Sequence, residues 1–147
     1  MKQLSPVLGL CIFISSLPSV SAAQQGIRGQ VFWVSGNQMP SPRRETAPTL
    51  GIERELHIHK LTTLRDVNQT KAPFFSEISS ELVLKVKTRV DGSFKVKLPP
   101  GDYSLFVKES QGLFANSFTS SGEISKITVS HKRYTWVSIT VDYDAVY

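Results

Sequence analysis

The sequence predicts an all-β fold, namely a seven-stranded antiparallel Greek-key β-sandwich. Three observations support this prediction. Short stretches in which apolar and polar residues alternate recur over residues 26–143. Turn-forming glycine, proline, asparagine and aspartate residues separate these stretches at intervals of roughly eight to twelve residues. No stretch has the apolar periodicity of a helix of ordinary length, so we expect the domain to be built from strands alone.

A short leader precedes the predicted strands. Lys2 is followed by an apolar run over residues 7–14 and then by small residues up to Ala22, a pattern typical of a secretory signal peptide. The apolar run is too short to span a bilayer. We therefore predict a signal peptide over residues 1–22, one mature domain over residues 23–147, and export to the periplasm or the extracellular medium.

Two alternatives remain open for this leader, a buried N-terminal helix and a lipoprotein signal. The lipoprotein alternative depends on Cys11, which is the only cysteine of the chain. Cys11 follows the bulky Leu10, whereas lipoprotein signals carry a small residue just before the cysteine. A cleaved signal peptide is therefore the favoured interpretation.

The composition of the mature chain excludes several kinds of function. Loss of Cys11 leaves no disulfide, no thiol nucleophile and no thiolate metal site. The formal charge of +5 falls to +4 when Lys2 is removed, and the basic residues are dispersed along the chain. We therefore predict no nucleic-acid partner, no cofactor and no transmembrane segment in the mature chain, and we assign no oligomeric state.

The first half of the domain contains two predicted strands and two long connections. Residues 26–34 form the first strand, and a proline-rich loop follows over residues 35–51. Residues 52–61 form the second strand, with its aliphatic residues on one face and its glutamate and histidine residues on the other. The polar residues 62–80 are predicted to form a long connection. Five further strands complete the sandwich at residues 82–89, 93–98, 103–108, 124–130 and 134–143.

The turn over residues 90–92 predicts a strand register. A two-residue turn would direct lysines into the core, whereas a three-residue turn pairs Val86 with Val96 and places Gly92 in the left-handed conformation that glycine tolerates. We therefore predict a three-residue hairpin. Four lysines then share the outer face, with Lys87 opposite Lys95 and Lys85 opposite Lys97.

This lysine face has two interpretations. Like charges directly across a sheet destabilise it by a few tenths of a kcal/mol per pair, so the arrangement needs a reason. Lysines on an exposed face or edge discourage aggregation between sheets, which requires no ligand. Alternatively, the face binds an anionic partner, such as an acidic glycan or the acidic surface of an envelope protein.

The turns also resemble those of a known family. Residues 88–94 and 98–103 are similar to the T-x-x-D-G-x-F and L-P-P-G-x-Y motifs of carboxypeptidase regulatory-like domains, and residues 26–31 are similar to their first strand. Further segments resemble small stand-alone members from bacteria. The resemblance implies a transthyretin-like, carbohydrate-binding-like sandwich without catalytic residues. We expect no attached peptidase or transporter, so the resemblance does not indicate which protein this domain would serve.

His57 and His59 provide the only spacing typical of a metal site. Residues i and i+2 of a strand share a face, so both imidazoles could bind one copper or zinc ion. A third ligand would have to come from Glu53, Glu55, Met39 or His131. A solvated strand face that alternates glutamate with histidine is the simpler alternative. A divalent-metal-binding periplasmic protein is therefore our second functional hypothesis.

Surface aromatic residues suggest another route to binding. Trp136 and Phe106 are predicted on the outer faces of their strands, where exposed rings could stack on sugars. Alternatively, the connections over residues 35–51 and 62–80 cover both rings. No nucleophile elbow is present, so we predict no enzyme activity, and a hydrolase is only the third hypothesis. The favoured function is a non-catalytic exported module that binds glycan or protein at the bacterial cell envelope, with ligand-face candidates Lys85, Lys87, Lys95, Lys97 and Trp136.

Overall fold

A computed structural model describes residues 24–42 and 49–147. The predicted signal peptide at residues 1–22 and Cys11 lie outside these residues. The described part contains strands and no helix, which confirms the all-β prediction, and it holds no helix of the length and apolarity needed to cross a membrane. Its strands are β1 (Gly26–Asn37), β2 (Leu50–Gly51), β3 (Glu55–Lys60), β4 (Val67–Lys71), β5 (Phe74–Ile78), β6 (Leu82–Lys87), β7 (Ser93–Lys97), β8 (Gly101–Glu109), β9 (Gly112–Phe114), β10 (Lys126–Val129) and β11 (Tyr134–Val146).

The strands form two sheets. In the first sheet the order is β11-β1-β2, and β7 also pairs with β1. In the second sheet the order is β4-β5-β9-β8-β3-β6, and β10 also pairs with β8. All ladders are antiparallel except the one between β1 and β11, which runs parallel from Gly26 opposite Tyr134 to Asn37 opposite Val146. We expected every pair of neighbouring strands to be antiparallel. A tight turn imposes that direction, but β1 and β11 are separated in sequence by almost the whole domain and are free to pair in parallel.

The two sheets share one apolar core. Ile27 and Val31 of β1 pack with Leu56 and Ile58 of β3, and all four side chains are fully buried. The inward residues of β11 join them; in agreement with the predicted alternation, these are Val137, Ile139 and Val141. Each strand therefore contributes alternate side chains to the space between the sheets, which is why the sequence alternates.

A second apolar cluster covers the outer side of the second sheet. It contains Phe75, Phe106, Ala115 and Ile124, which are all buried. Phe75 comes from β5, in a segment that we expected to be a polar connection. Since β8 is now covered on both sides, its residues from Tyr103 to Val107 are buried without alternation. The connection over residues 62–80 therefore buries Phe106 as anticipated, but it does so as strands β4 and β5.

The prediction that residues 82–89 pair with residues 93–98 in a hairpin is wrong. β6 pairs with β3 in the second sheet, and β7 pairs with β1 in the first. The intervening turn has the expected left-handed Gly92, with φ of 81°, and the amide of Gly92 donates to the carbonyl of Arg89 at 2.9 Å. The turn therefore carries the chain from one sheet to the other. Pairing each strand with a different central strand still buries its valines, so the apolar pattern is satisfied equally well.

The predicted lysine pairs are wrong for the same reason. Lys87 lies opposite Glu55, and Lys85 lies opposite His57. Lys95 lies opposite Arg28, and Lys97 lies opposite Gly26. All four lysine side chains are exposed, but they belong to the outer faces of two different sheets. The single lysine face of the sequence prediction is therefore divided into two pairs.

Candidate functional site

The two lysine pairs have different electrostatic surroundings. Lys87 Nζ lies 2.8 Å from Glu53 Oε1, and this contact raises the pKa of Lys87. The charge of Lys85 acts on Glu55, whose pKa is lowered mainly by its hydrogen bond to His57 and to a smaller extent by Lys85. The lysines of β6 therefore lie near carboxylates, because Lys87 forms a salt bridge with Glu53 and Lys85 is close enough to Glu55 to lower its pKa. They offer little free positive charge to a ligand.

Lys95 and Lys97 lie in a more basic environment on the outer face of the first sheet. Arg28 is the cross-strand neighbour of Lys95 on one side and of Trp136 on the other. Directly paired residues share a face, so these three side chains form one row across the sheet. Among the described residues, no carboxylate lies within salt-bridge distance of Arg28, Lys95 or Lys97.

A second row runs beside the first. Lys97, Gly26 and Tyr134 are neighbours across the same three strands. Gly26 contributes no side chain, so this row presents only the side chains of Lys97 and Tyr134. We refer to the side chains of Arg28, Lys95, Lys97, Tyr134 and Trp136 as the basic–aromatic face.

The cations and rings of the basic–aromatic face are in contact. The guanidinium carbon of Arg28 lies 6.0 Å from the ring centroid of Trp136, and Lys95 Nζ lies 4.5 Å from that of Tyr134. Both distances are within the range of cation–π attraction. Trp136 is nevertheless 61% exposed, so the expectation that a connection covers it is wrong. The face offers positive charge beside an open indole, a combination that can bind anionic groups and stack on a sugar ring.

The turn before β11 extends the positive charge beyond the sheet. Lys132 and Arg133 immediately precede Tyr134. The turn is fixed to the start of β1, because the amide of Gly26 donates to the carbonyl of Arg133 at 3.3 Å and the amide of Lys132 donates to Gln25 Oε1 at 3.2 Å. Arg28, Lys132 and Arg133 were not among the predicted ligand-face residues, because the position of Arg28 between Lys95 and Trp136 depends on the pairing of β1 with β7 and β11.

The expected solvated histidine face on β3 is wrong. His57 and His59 are both buried, with 8% and 6% of their surface exposed. His57 Nε2 donates to Glu55 Oε1 at 2.7 Å. The ring of His59 packs against that of Phe106 with centroids 5.5 Å apart. The outer cluster around Phe75 and Phe106 accounts for this burial, and the alternating pattern of β3 contained no sign of it.

The structure brings together few of the suggested metal ligands. Of the possible third ligands, only Glu55 contacts a histidine of the pair, whereas Met39 and His131 are exposed and belong to segments attached to the first sheet. Within residues 24–42 and 49–147, no group of three histidine, cysteine, aspartate or glutamate side chains could hold a metal ion. His59 Nδ1 lies 3.1 Å from the carbonyl of Ser80, and Nε2 has no partner among the described residues. Burial lowers the pKa of His59.

A buried ion pair lies at the edge of the core. Glu109 accepts hydrogen bonds from Arg54 Nε at 2.7 Å and from the hydroxyl of Tyr143 at 2.9 Å. The ring of Tyr143 packs edge-on against Trp33 and Phe74. With both partners in place, the carboxylate is neutralised and held among aromatic rings. We assign this ion pair a structural role, because it lies at the edge of the core and away from the basic–aromatic face.

The residues behind the family resemblance also have structural roles. The hydroxyl of Thr88 accepts from the amide of Arg54 at 2.8 Å, and the hydroxyl of Tyr103 donates to the carbonyl of Pro99 at 2.7 Å. Asp91 Oδ1 accepts from the amide of Ser93 at 2.9 Å. These contacts fix turns and contribute no reactive group. Comparisons with models of protein families, with curated proteins and with solved structures found no match for this chain, so the resemblance rests on the turn motifs.

Proposed function

We propose that this protein is a non-catalytic binding module of the cell envelope and that its basic–aromatic face binds an anionic glycan. The observation that carries the proposal is the row of Lys95, Arg28 and Trp136, in which neither cation has a carboxylate partner among the described residues. Carboxylate, sulfate or phosphate groups of the ligand would contact the cations. A sugar ring would stack on the exposed indole.

The rigidity of the sheet favours such binding. The face is built on three hydrogen-bonded strands, and cation–π contacts already hold Arg28 and Lys95 beside their aromatic neighbours. Less conformational entropy is therefore lost when a ligand binds than if the same residues lay on loops. A flat surface of this kind suits an extended polymer, whereas a small substrate would need a concave site.

The cellular setting that we propose follows from the leader and the turn motifs. The pattern over residues 1–22 is typical of export, which would place the domain in the periplasm or in the medium. The motifs over residues 88–94 and 98–103 support a carboxypeptidase regulatory-like sandwich with Greek-key, transthyretin-like connections. Acidic polysaccharides and the phosphate groups of lipopolysaccharide are the anionic glycans of that environment.

The two lysine pairs provide a matched test. The double variants Lys95→Gln with Lys97→Gln, and Lys85→Gln with Lys87→Gln, each remove two positive charges from exposed positions of a strand. We expect the first double variant to elute from immobilised polygalacturonate at clearly lower salt than the wild type. The second should elute closer to the wild type, since Lys87 is paired with Glu53 and Lys85 lies near Glu55. Equal losses for the two variants would mean that net charge alone governs retention, and the proposed site would be wrong.

Trp136 provides a separate arm of the same test. Replacing Trp136 with alanine should weaken binding several-fold at constant ionic strength, because the stacking surface is lost while the charge is unchanged. Isothermal titration with oligogalacturonate measures this effect. If the variant binds as tightly as the wild type, Trp136 does not belong to the binding site.

A further inference from the structure

A cavity of about 170 Å³ lies between the two sheets, beside β11. Its walls are apolar side chains of both sheets, and these are Leu105, Val107, Phe114, Ile127, Val137 and Ile139. The cavity is partly open to solvent, and its polar lining residues come from the segment after β9, from the start of β10 and from β11; they are Asn116, Ser117, Ser125, Lys126, Ser138 and Thr140. The cavity therefore has an apolar interior and a polar mouth.

The topology of the second sheet creates this opening. β10 pairs with residues 101–104 of β8, and β9 pairs with residues 107–109 of the same edge. Between these ladders the edge of β8 has no strand partner among the described residues, and residues 115–125 connect β9 to β10. The amide of Leu105 donates to the carbonyl of Ser125 at 3.3 Å, which secures the far side of the gap. The cavity is thus a consequence of strand order and does not depend on one loosely packed side chain.

The mouth also contains main-chain hydrogen-bonding groups. β11 is the last strand of its sheet, and the carbonyl of Thr140 accepts from Asn116 Nδ2 at 3.2 Å on the outer side. The amide and carbonyl of every second residue in a strand point to the same edge, so those of Ser138 face this side as well. Among the described residues, β1 is the only strand that pairs with β11. A ligand in the mouth could therefore hydrogen-bond to the main chain of Ser138.

Among the described residues, the one cation that lines the cavity is already paired, and the nearby carboxylate of Asp142 accepts a hydrogen bond from Asn116 Nδ2 at 2.9 Å. Lys126 Nζ lies 3.2 Å from Glu123 Oε1 and 3.6 Å from Asp102 Oδ2. The hydrogen bond to Glu123 contributes most to the raised pKa of Lys126. With two carboxylates around one ammonium group, this region has no unpaired positive charge to attract an anion. An uncharged ligand is the chemistry that fits.

We propose that this cavity binds a small uncharged ring compound that carries a single hydroxyl or amide group. A cavity of about 150 Å³ with aliphatic and aromatic walls, engineered in another protein, stays dry and binds benzene, so the volume here suits a six-membered ring. It is well below the ~300 Å³ at which pockets for drug-sized ligands begin, which excludes a sugar chain. The ring packs between Val137 and Ile139, and its polar group reaches Ser138 at the mouth. This site is separate from the basic–aromatic face.

Phenol is a suitable probe, and the purified protein can be observed by methyl NMR. We expect saturable shifts for the methyl groups of Val107, Val137 and Ile139. The methyl groups of Val83, which packs against the core from β6, and the indole signal of Trp136 should stay unchanged. Benzoate, which has the same ring and a negative charge, should bind at least about tenfold more weakly, because it would lose hydration next to two carboxylates.

Two variants locate the ligand. Val137→Phe fills the cavity and should reduce phenol binding at least about tenfold, while leaving the protein folded because the added ring occupies existing space. Ile139→Ala enlarges the cavity and should improve binding of 2-naphthol relative to phenol. The absence of phenol-induced shifts in the wild type would overturn the proposal. So would shifts that appear at Val83 or Trp136 instead, or phenol binding that persists unchanged in a folded Val137→Phe variant.

Discussion

His59 is a residue whose chemistry depends on what covers it. Its neighbours in sequence gave β3 the alternation of a half-exposed strand, yet Phe106 of the adjacent strand and Ser80 of the following segment enclose the imidazole. The charged groups around it are His57 on the same face and, beyond that residue, Glu55 and Lys85. Burial disfavours a charged ring at this position, and for this reason the pKa of His59 is lowered.

This burial predicts a pH dependence of folding. The unfolded chain takes up a proton at His59 near the ordinary pKa of 6.5, whereas the folded protein does so only at lower pH. The unfolded state therefore binds more protons as the pH falls below 6.5, and the free energy of unfolding should decrease by at most about 1.4 kcal/mol per pH unit from this residue. Urea denaturation between pH 7.5 and 5 measures the slope. A His59→Leu variant should lose this part of the slope, and an unchanged slope would contradict the assignment.

At the scale of elements, the positions of strands were more predictable than their partners. The sequence pattern predicted β1, β3, β6, β7, β8, β10 and β11, because a strand that buries one face alternates whichever strand it pairs with. The turn at residues 89–92 did not reveal that β6 and β7 belong to different sheets, since a left-handed glycine suits a hairpin and a crossing between sheets alike. Strands β4 and β5 were missed because β4 is mostly exposed and polar, so its sequence resembles a loop.

The same turn predicts a difference between two glycines. Gly92 and Gly36 have similar positive φ angles, 81° and 75°, so alanine at either position costs about 1 kcal/mol for the left-handed backbone. A Cβ atom at Gly92 would also collide with the carbonyl oxygen of Val31, whereas the space around Gly36 is open. Gly92→Ala should therefore lower the free energy of unfolding by at least about 1 kcal/mol more than Gly36→Ala does. Chemical denaturation of the two variants measures this, and equal losses would mean that the turn does not approach β1 closely.

At the scale of the whole molecule, the positive charge is unevenly distributed. The sequence indicated four lysines and Trp136 as candidates, and the side chains of all five are exposed, although a connection was expected to cover Trp136. It could not show which cations lie together, because that depends on the pairing of β7 with β1 in place of β6. The resulting grouping of Arg28, Lys95 and Lys97 on one sheet is a property of the tertiary structure. The carboxylates Glu53 and Glu55 are on the other sheet.

This distribution predicts how glycan binding depends on salt. Exposed charges are screened at high ionic strength, and the Debye length falls from about 14 Å at roughly 50 mM salt to about 4 Å at roughly 500 mM. The affinity of the wild type for oligogalacturonate should therefore fall steeply over this range of sodium chloride concentration. The variant with Lys95→Gln and Lys97→Gln should show a shallower dependence, because fewer charges take part. Isothermal titration at several salt concentrations gives both slopes. If the slopes are identical, the two lysines do not contact the anionic groups.

The parallel ladder between β1 and β11 has a mechanical consequence. The chain enters this ladder at Gly26, at one end of the sandwich, and leaves it at Val146, at the opposite end. A force that stretches the domain from these two points acts along both strands in opposite directions. It would have to shear many inter-strand hydrogen bonds at once, whereas a hairpin pulled from its open end loses them one after another. The sandwich is therefore suited to bear tension between an attachment on one side and a load on the other.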